Sequence, residues 1–183
     1  MNPITHFFIG WCTACAAPSL DGRERALVTW SAVVADVDGL GLLPEMLTRD
    51  TPHAIFWYSD YHHALTHNLL SAVVASIVVA VVSRHRLQAA LFAFIAYHTH
   101  LLGDLAGSRG PDGYLWPIPY LPNWTWSWSG AWKLNAWPNV AITLTAIAIT
   151  FVIAVRRGDS PLRMFSKRAN EAFVMTLRRR FTR

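Results

Sequence analysis

The stretch Leu65-Thr66-His67-Asn68-Leu69-Leu70-Ser71-Ala72-Val73-Val74-Ala75-Ser76-Ile77-Val78-Val79-Ala80-Val81-Val82-Ser83 carries no charged residue over nineteen positions. Its length and its Val, Ala, Ile and Leu content are those of a membrane-spanning helix. A tight basic turn, Arg84-His85-Arg86, follows and leads into a second apolar run, Leu87 to Ala106. Three further apolar segments are marked: Ile4 to Leu20, Ala26 to Leu47 and Val140 to Val155. The expected fold is therefore all-α, an integral membrane bundle of about five apolar helices with a Trp-rich outer loop.

Composition agrees. The chain has 183 residues, 53% hydrophobic and 15% charged, with mean hydropathy +0.27. A soluble domain carries about 25% charged residues, so a soluble enzyme is the poorer reading. Nine tryptophans suit an interfacial belt. The amino terminus lacks a basic n-region and is not expected to be a cleaved signal peptide. Cys12 and Cys15 share a helical face but have no redox context, so they read as small packing residues.

Charge is placed unevenly. Nine of the sixteen Arg and Lys residues fall between Arg156 and Arg183, against two acids. This tail, 156–183, is divided from a membrane-embedded domain, 1–155. It follows an apolar segment directly, which favours a cytoplasmic flank or an amphipathic helix on anionic lipid over nucleic-acid binding. Arg23/Arg25, Arg84/Arg86 and Arg156/Arg157 lie two segments apart, so all three can be cytoplasmic at once. That expectation sets the amino terminus outside, the carboxyl terminus inside, and five crossings between.

Polar residues interrupt the apolar segments at three places: Asp36-Val37-Asp38, His62-His63-Ala64-Leu65-Thr66-His67, and His98-Thr99-His100-Leu101-Leu102-Gly103-Asp104. Ionisable groups at membrane depth are costly unless they bind one another, a metal or a substrate. At about 1.5 Å per residue, Asp36 and His100 both rise about 16–21 Å from the basic side. His62, His67 and His6 open segments entered from the outer side, so every cluster reaches one level near the outer face.

His100 and Asp104 share a helical face at i, i+4, and His63 and His67 have the same spacing. A helix start near Ser59 or Asp60 would also join His62 to His67. Gly39 and Gly41 suggest a loosened helix in which Asp36 and Asp38 converge. The expected ligands are His6, Asp36, Asp38, His62, His67, His100 and Asp104, with Asp38 or Asp104 as general base toward bound water. Histidine with aspartate suits a divalent metal, zinc first and manganese second, in one to three ions. Such a site activates water and polarises a phosphoryl oxygen. No nucleophilic serine or cysteine motif competes with it. His98 reads as structural, and His53 and His85 as loop residues.

The loop Gly107 to Pro138, with six tryptophans and five prolines, fits an outer-interface cap over the site, a plain aromatic belt, or a surface that docks a lipid or amphipathic substrate. Two rival classes share these residues. A transporter or proton relay would need polar residues continuing to the cytoplasmic side, where segments three to five have almost none. A non-catalytic metal-stabilised scaffold would close the site fully with protein ligands.

The ordered set resembles the bacterial membrane-bound metal-dependent hydrolase family, whose pattern runs T-H, P-D-x-D, H-R-G-x-T-H-S, S-H-x-x-x-D and G…W-P. Here these read Thr5-His6, Ala35-Asp36-Val37-Asp38, His62 to Asn68, Thr99-His100 to Asp104, and Gly110 to Trp116-Pro117. The resemblance covers residues 5–117. His63 stands at the family's Arg position, Ala64 at its Gly, Ala35 at its Pro and Asn68 at its Ser. The family's spacing favours His62 over His63 as the first histidine. A distant similarity to zinc-dependent phospholipase C implies multinuclear zinc and phosphoester hydrolysis, expected in a lipid headgroup; the family resemblance implies an inner-membrane location, and the charge placement a periplasmic-side site.

Overall fold

A computed structural model describes residues 1–110 and 115–181. Part of the Trp-rich loop (111–114) and the last two tail residues (182–183) lie outside the described residues.

Among the described residues, eight α-helices carry the architecture: α1 Pro3–Cys15, α2 Gly22–Ser31, α3 Leu42–Thr48, α4 Trp57–Tyr61, α5 Leu69–Val82, α6 Arg86–Gly107, α7 Trp137–Arg157 and α8 Lys167–Phe181. A 3₁₀ helix, Val34–Gly41, joins α2 to α3, and a second, Pro161–Met164, precedes α8. Two short strands, β1 Ile118–Leu121 and β2 Trp124–Trp126, form an antiparallel hairpin within the segment expected to be a loop.

Among the described residues, two helices are long and apolar enough to cross a membrane: α6 with 22 residues and α7 with 21. The count becomes three if α2 and the 3₁₀–α3 segment, bent by 47°, form one broken span. The expected five apolar spans are thus not all found. The first expected segment yields only the 13-residue α1. The third begins at Leu69 rather than Leu65 and gives a 14-residue α5, about 21 Å long against a hydrocarbon core of about 30 Å. Asn68 causes the late start, because its side chain accepts from Ser71 N at 2.8 Å and caps the helix there. The fifth is extended by its Trp and Pro flank to Trp137–Arg157, since Pro138 is tolerated in the first turn of α7.

Small residues set the packing. α6 lies against α5, α1 and α2, and α7 lies on α1. Ala14, Ala17, Ala32, Ala89, Ala93 and Ala96 are buried at the centre, so the backbones approach closely. Gly10 is required at one crossing: a Cβ there would sit 2.6 Å from Ala32 Cβ and 2.8 Å from Thr29 O. Cys15 is buried, and Cys12 Sγ lies 3.7 Å from Ala146 O at the α1–α7 contact, in keeping with packing roles.

The three basic clusters meet at one end of the bundle. Glu24, in a capping box with Asp21, also accepts from Arg84 N and His85 N, both at 2.8 Å. Arg25 pairs with the buried Asp159 just beyond α7. α8 packs Val174 and Leu177 against Ala154, so described residues 156–181 of the tail fold back on α7. Ala35, Ala72, Tyr97, Leu101 and Ile118 form a second cluster, which seats the hairpin on α6 near the opposite end.

Candidate metal centre

The 3₁₀ helix brings Asp36 and Asp38 to one imidazole from two sides. Asp38 Oδ2 accepts from His67 Nδ1 at 3.2 Å, and Asp38 Oδ1 accepts from His62 Nδ1 at 3.1 Å. Asp36 Oδ1 lies 4.0 Å from the other nitrogen of His67, Nε2, and 3.6 Å from His100 Nε2. Asp104, one turn after His100 on α6, sets Oδ2 2.8 Å from His100 Nε2 and 3.3 Å from His67 Nε2. One ligand atom each of Asp36, His67, His100 and Asp104 lies within 4.8 Å of the others, and three of the four residues are fully buried.

The hydrogen bonds on the outer side of each ring decide the protonation. His100 Nδ1 donates to the Ala32 carbonyl at 2.8 Å, and His63 Nδ1 donates to the Trp116 carbonyl at 3.3 Å. A carbonyl or carboxylate only accepts, so Nδ1 of His63, His67 and His100 carries the proton. In a neutral ring each Nε2 then turns an unprotonated lone pair inward. His67 Nε2 and His100 Nε2 face each other at 3.1 Å. Asp36 Oδ2 and Asp104 Oδ2 are buried and receive no hydrogen bond. Two lone pairs and two carboxylates aimed at one point repel one another, and a divalent cation removes that repulsion. The donor set fits zinc or manganese.

The remaining expected ligands stand one contact further out. His6 Nε2 meets Asp104 Oδ1 at 3.1 Å, and its ring stacks on His100 with centroids 3.7 Å apart. The Met1 amino group also reaches Asp104. His62 and Asp38 pair with each other, so Asp38 acts on the set through His67. No helix start links His62 to His67: α4 ends at Tyr61, both histidines lie in the loop before α5, and Ser59 within α4 instead donates to Glu45 at 2.6 Å.

His63 is closer to the set than its spacing suggested. Its Nε2 lies 3.7 Å from Asp104 Oδ2, and it is 1% exposed. A left-handed backbone, φ 69°, turns the side chain inward, and that turn has no signature in the sequence. Burial pushes its pKa down to about 2, so the ring is neutral. His98 faces away, donating to the Phe94 carbonyl at 2.8 Å and accepting from the Tyr120 hydroxyl at 2.9 Å. It ties the hairpin to α6.

A chamber of ≈ 340 Å³ opens onto the set and is lined by Asp36, Gly39, Tyr58, His62, His63 and Trp116. The Tyr58 ring stacks on His62 with centroids 4.6 Å apart, and Trp116 stands edge-on to His62 at 5.2 Å. The Trp-rich segment thus supplies one wall and one carbonyl acceptor.

A match to the family described as YdjM inner membrane protein spans residues 1–176. The chain belongs to the YdjM inner membrane protein family. It is therefore an inner-membrane protein, and lipid is its surroundings. The match shows no hydrolase or phospholipase C-like family, so the activity must be argued from the site of this YdjM family member. Neither the curated proteins nor the solved structures yield a significant match.

Proposed function

We propose that the chain is a membrane-bound metal-dependent hydrolase that cleaves a phosphoester bond in a lipid or lipid-like substrate. The observation that carries this reading is the convergence of His67 Nε2 and His100 Nε2, 3.1 Å apart, with the carboxylates of Asp36 and Asp104. These four residues would hold the cation, with His6 and His63 beside Asp104. A bound divalent ion lowers the pKa of water toward about 7 and polarises a phosphoryl oxygen.

The chain's own groups supply the rest. Asp38 orients His67 and His62 through their Nδ1 protons. Asp36 belongs both to the set and to the chamber wall, and its Oδ2 has no partner. It is placed to take the proton from the attacking water, in preference to Asp38 or Asp104, whose oxygens already contact imidazoles. Tyr58 and Trp116 narrow the chamber and exclude bulk water.

The joined basic clusters support an orientation with Arg23, Arg25, Arg84, Arg86, Arg156 and Arg157 cytoplasmic. The amino terminus and the site then lie toward the outer face, and the chain crosses the membrane several times. The test is elemental analysis of detergent-purified protein beside the His100→Ala/Asp104→Ala variant, followed by headgroup release from phospholipid vesicles. One or more equivalents of zinc or manganese, lost in the variant, is the expected result. Absence of metal from both samples after reconstitution overturns the proposal.

A further inference from the structure

A second cavity shares a wall with the chamber. A groove of ≈ 450 Å³ is lined by Val37, Leu40, Pro44, Trp57, Tyr61 and Leu65, with Gly41 and Asp38 at its inner edge. A 3₁₀ helix has three residues per turn, so every third side chain forms one ridge. The ridge Asp36, Gly39 and Leu42 lines the chamber. The next ridge, Asp38, Gly41 and Pro44, lines the groove, and Leu40 belongs to both cavities. The helix that carries the aspartates is therefore the partition between the chamber that holds Asp36, His62 and His63 and an apolar groove.

The groove's chemistry selects its occupant. Asp38 is the only charged residue of its lining, and both carboxylate oxygens are engaged by His62 and His67. The rest of the wall is apolar or aromatic. The adjoining surface is apolar too: Leu43 is 61% exposed, Met46 65% and Leu47 81%, and α3 buries none of its residues. In an inner-membrane protein such a rim faces lipid. The volume lies within the roughly 300–1,000 Å³ of small-molecule sites. Gly41 keeps the groove's inner edge tight, since a Cβ there would stand 3.1 Å from Tyr58 N.

We infer that the groove receives one acyl chain of a membrane lipid, entering sideways from the bilayer while the lipid's headgroup occupies the chamber beyond Leu40. The headgroup half rests on the proposed function; the acyl half does not. The full chain is reconstituted into phosphatidylethanolamine vesicles doped with phosphatidylglycerol that bears a diazirine on one acyl chain. After illumination, adducts are located by mass spectrometry, and metal content is measured on the same samples. Adducts concentrate on Val37, Tyr61 and Leu65, and fall at least fivefold there in Leu65→Trp and in Val37→Trp. Adducts at Leu87, 85% exposed at the other end of the molecule, stay unchanged and serve as the folding control. Adducts spread in proportion to exposure and unmoved by either variant overturn the groove, as does their absence from it because a protein segment fills it. Groove adducts without bound metal overturn the hydrolase reading and leave the acyl site standing.

Discussion

Asp38 Oδ2 accepts the Nδ1 proton of His67 at 3.2 Å, and this turns the other nitrogen of that ring toward Asp36, His100 and Asp104. Neither carboxylate oxygen of Asp38 is among the ligand atoms of the four-residue set, yet the set depends on it. A ring with its proton on Nε2 would offer no lone pair.

Asp38→Asn keeps the shape but replaces one acceptor oxygen by an NH₂ group. Either His62 or His67 then loses its acceptor. Zinc affinity should fall by about 10- to 100-fold, the usual cost of losing an outer orienting group. Competition with a chromophoric chelator measures it, and an affinity within twofold of wild type would remove Asp38 from this role.

The Glu24 carboxylate ties α2 to the α5–α6 turn, accepting from the amides of Arg84 and His85 and from His85 Nδ1. Glu24→Ala strips the partner from the amides of Asp21, Arg84 and His85. At about 1–3 kcal/mol per orphaned group, and with part of the turn open to water, a loss of about 3 kcal/mol is expected. Denaturant titration in micelles reads this, and the metal content of the folded fraction should stay at the wild-type level.

Gly10→Ala tests the crossing of α1 and α2. The added methyl must displace Ala32 or the Thr29 carbonyl, at about 1–3 kcal/mol for overpacking. Because the Ala32 carbonyl holds His100 Nδ1, bound metal should fall together with stability. A stable variant with full metal content would show that the backbone at Ala32 can yield without cost.

His63 sets a pH dependence. Its folded pKa is held near 2 by burial, against an ordinary 6.5. The unfolded chain therefore binds a proton that the folded chain refuses, and stability falls as pH drops from about 6.5 toward 2. His63→Gln removes that contribution. The difference in melting temperature between pH 7 and pH 5 should shrink in the variant, and an unchanged difference would assign the acid sensitivity to other groups.

Much of the site was legible because its residues are improbable where they stand. Asp36, His67, His100 and Asp104 are polar side chains within apolar runs, and the i, i+4 spacing of His100 and Asp104 survives in α6. The glycines at 39 and 41 announced a loosened helix, and a 3₁₀ helix is there. Illegible were the acceptors that set each ring's proton: the carbonyls of Ala32 and Trp116 belong to residues whose side chains say nothing about them. The inward turn of His63 was hidden for a similar reason, since a positive φ at a non-glycine residue follows from its surroundings. The five equal spans failed at the termini of the elements. Asn68 postpones α5, and the turn after Ser31 bends the second segment.

α3 and α4 bury no side chain, although they wall the groove and Tyr58 of α4 closes the chamber. Helices of seven and five residues do not persist in water without packing. The exposed Leu43, Met46, Leu47 and Trp57 side chains suit contact with the hydrocarbon of the membrane, which would act here as a building material rather than a container. The shape of this site is then a joint property of chain and lipid, and different detergents will yield different geometries of one site.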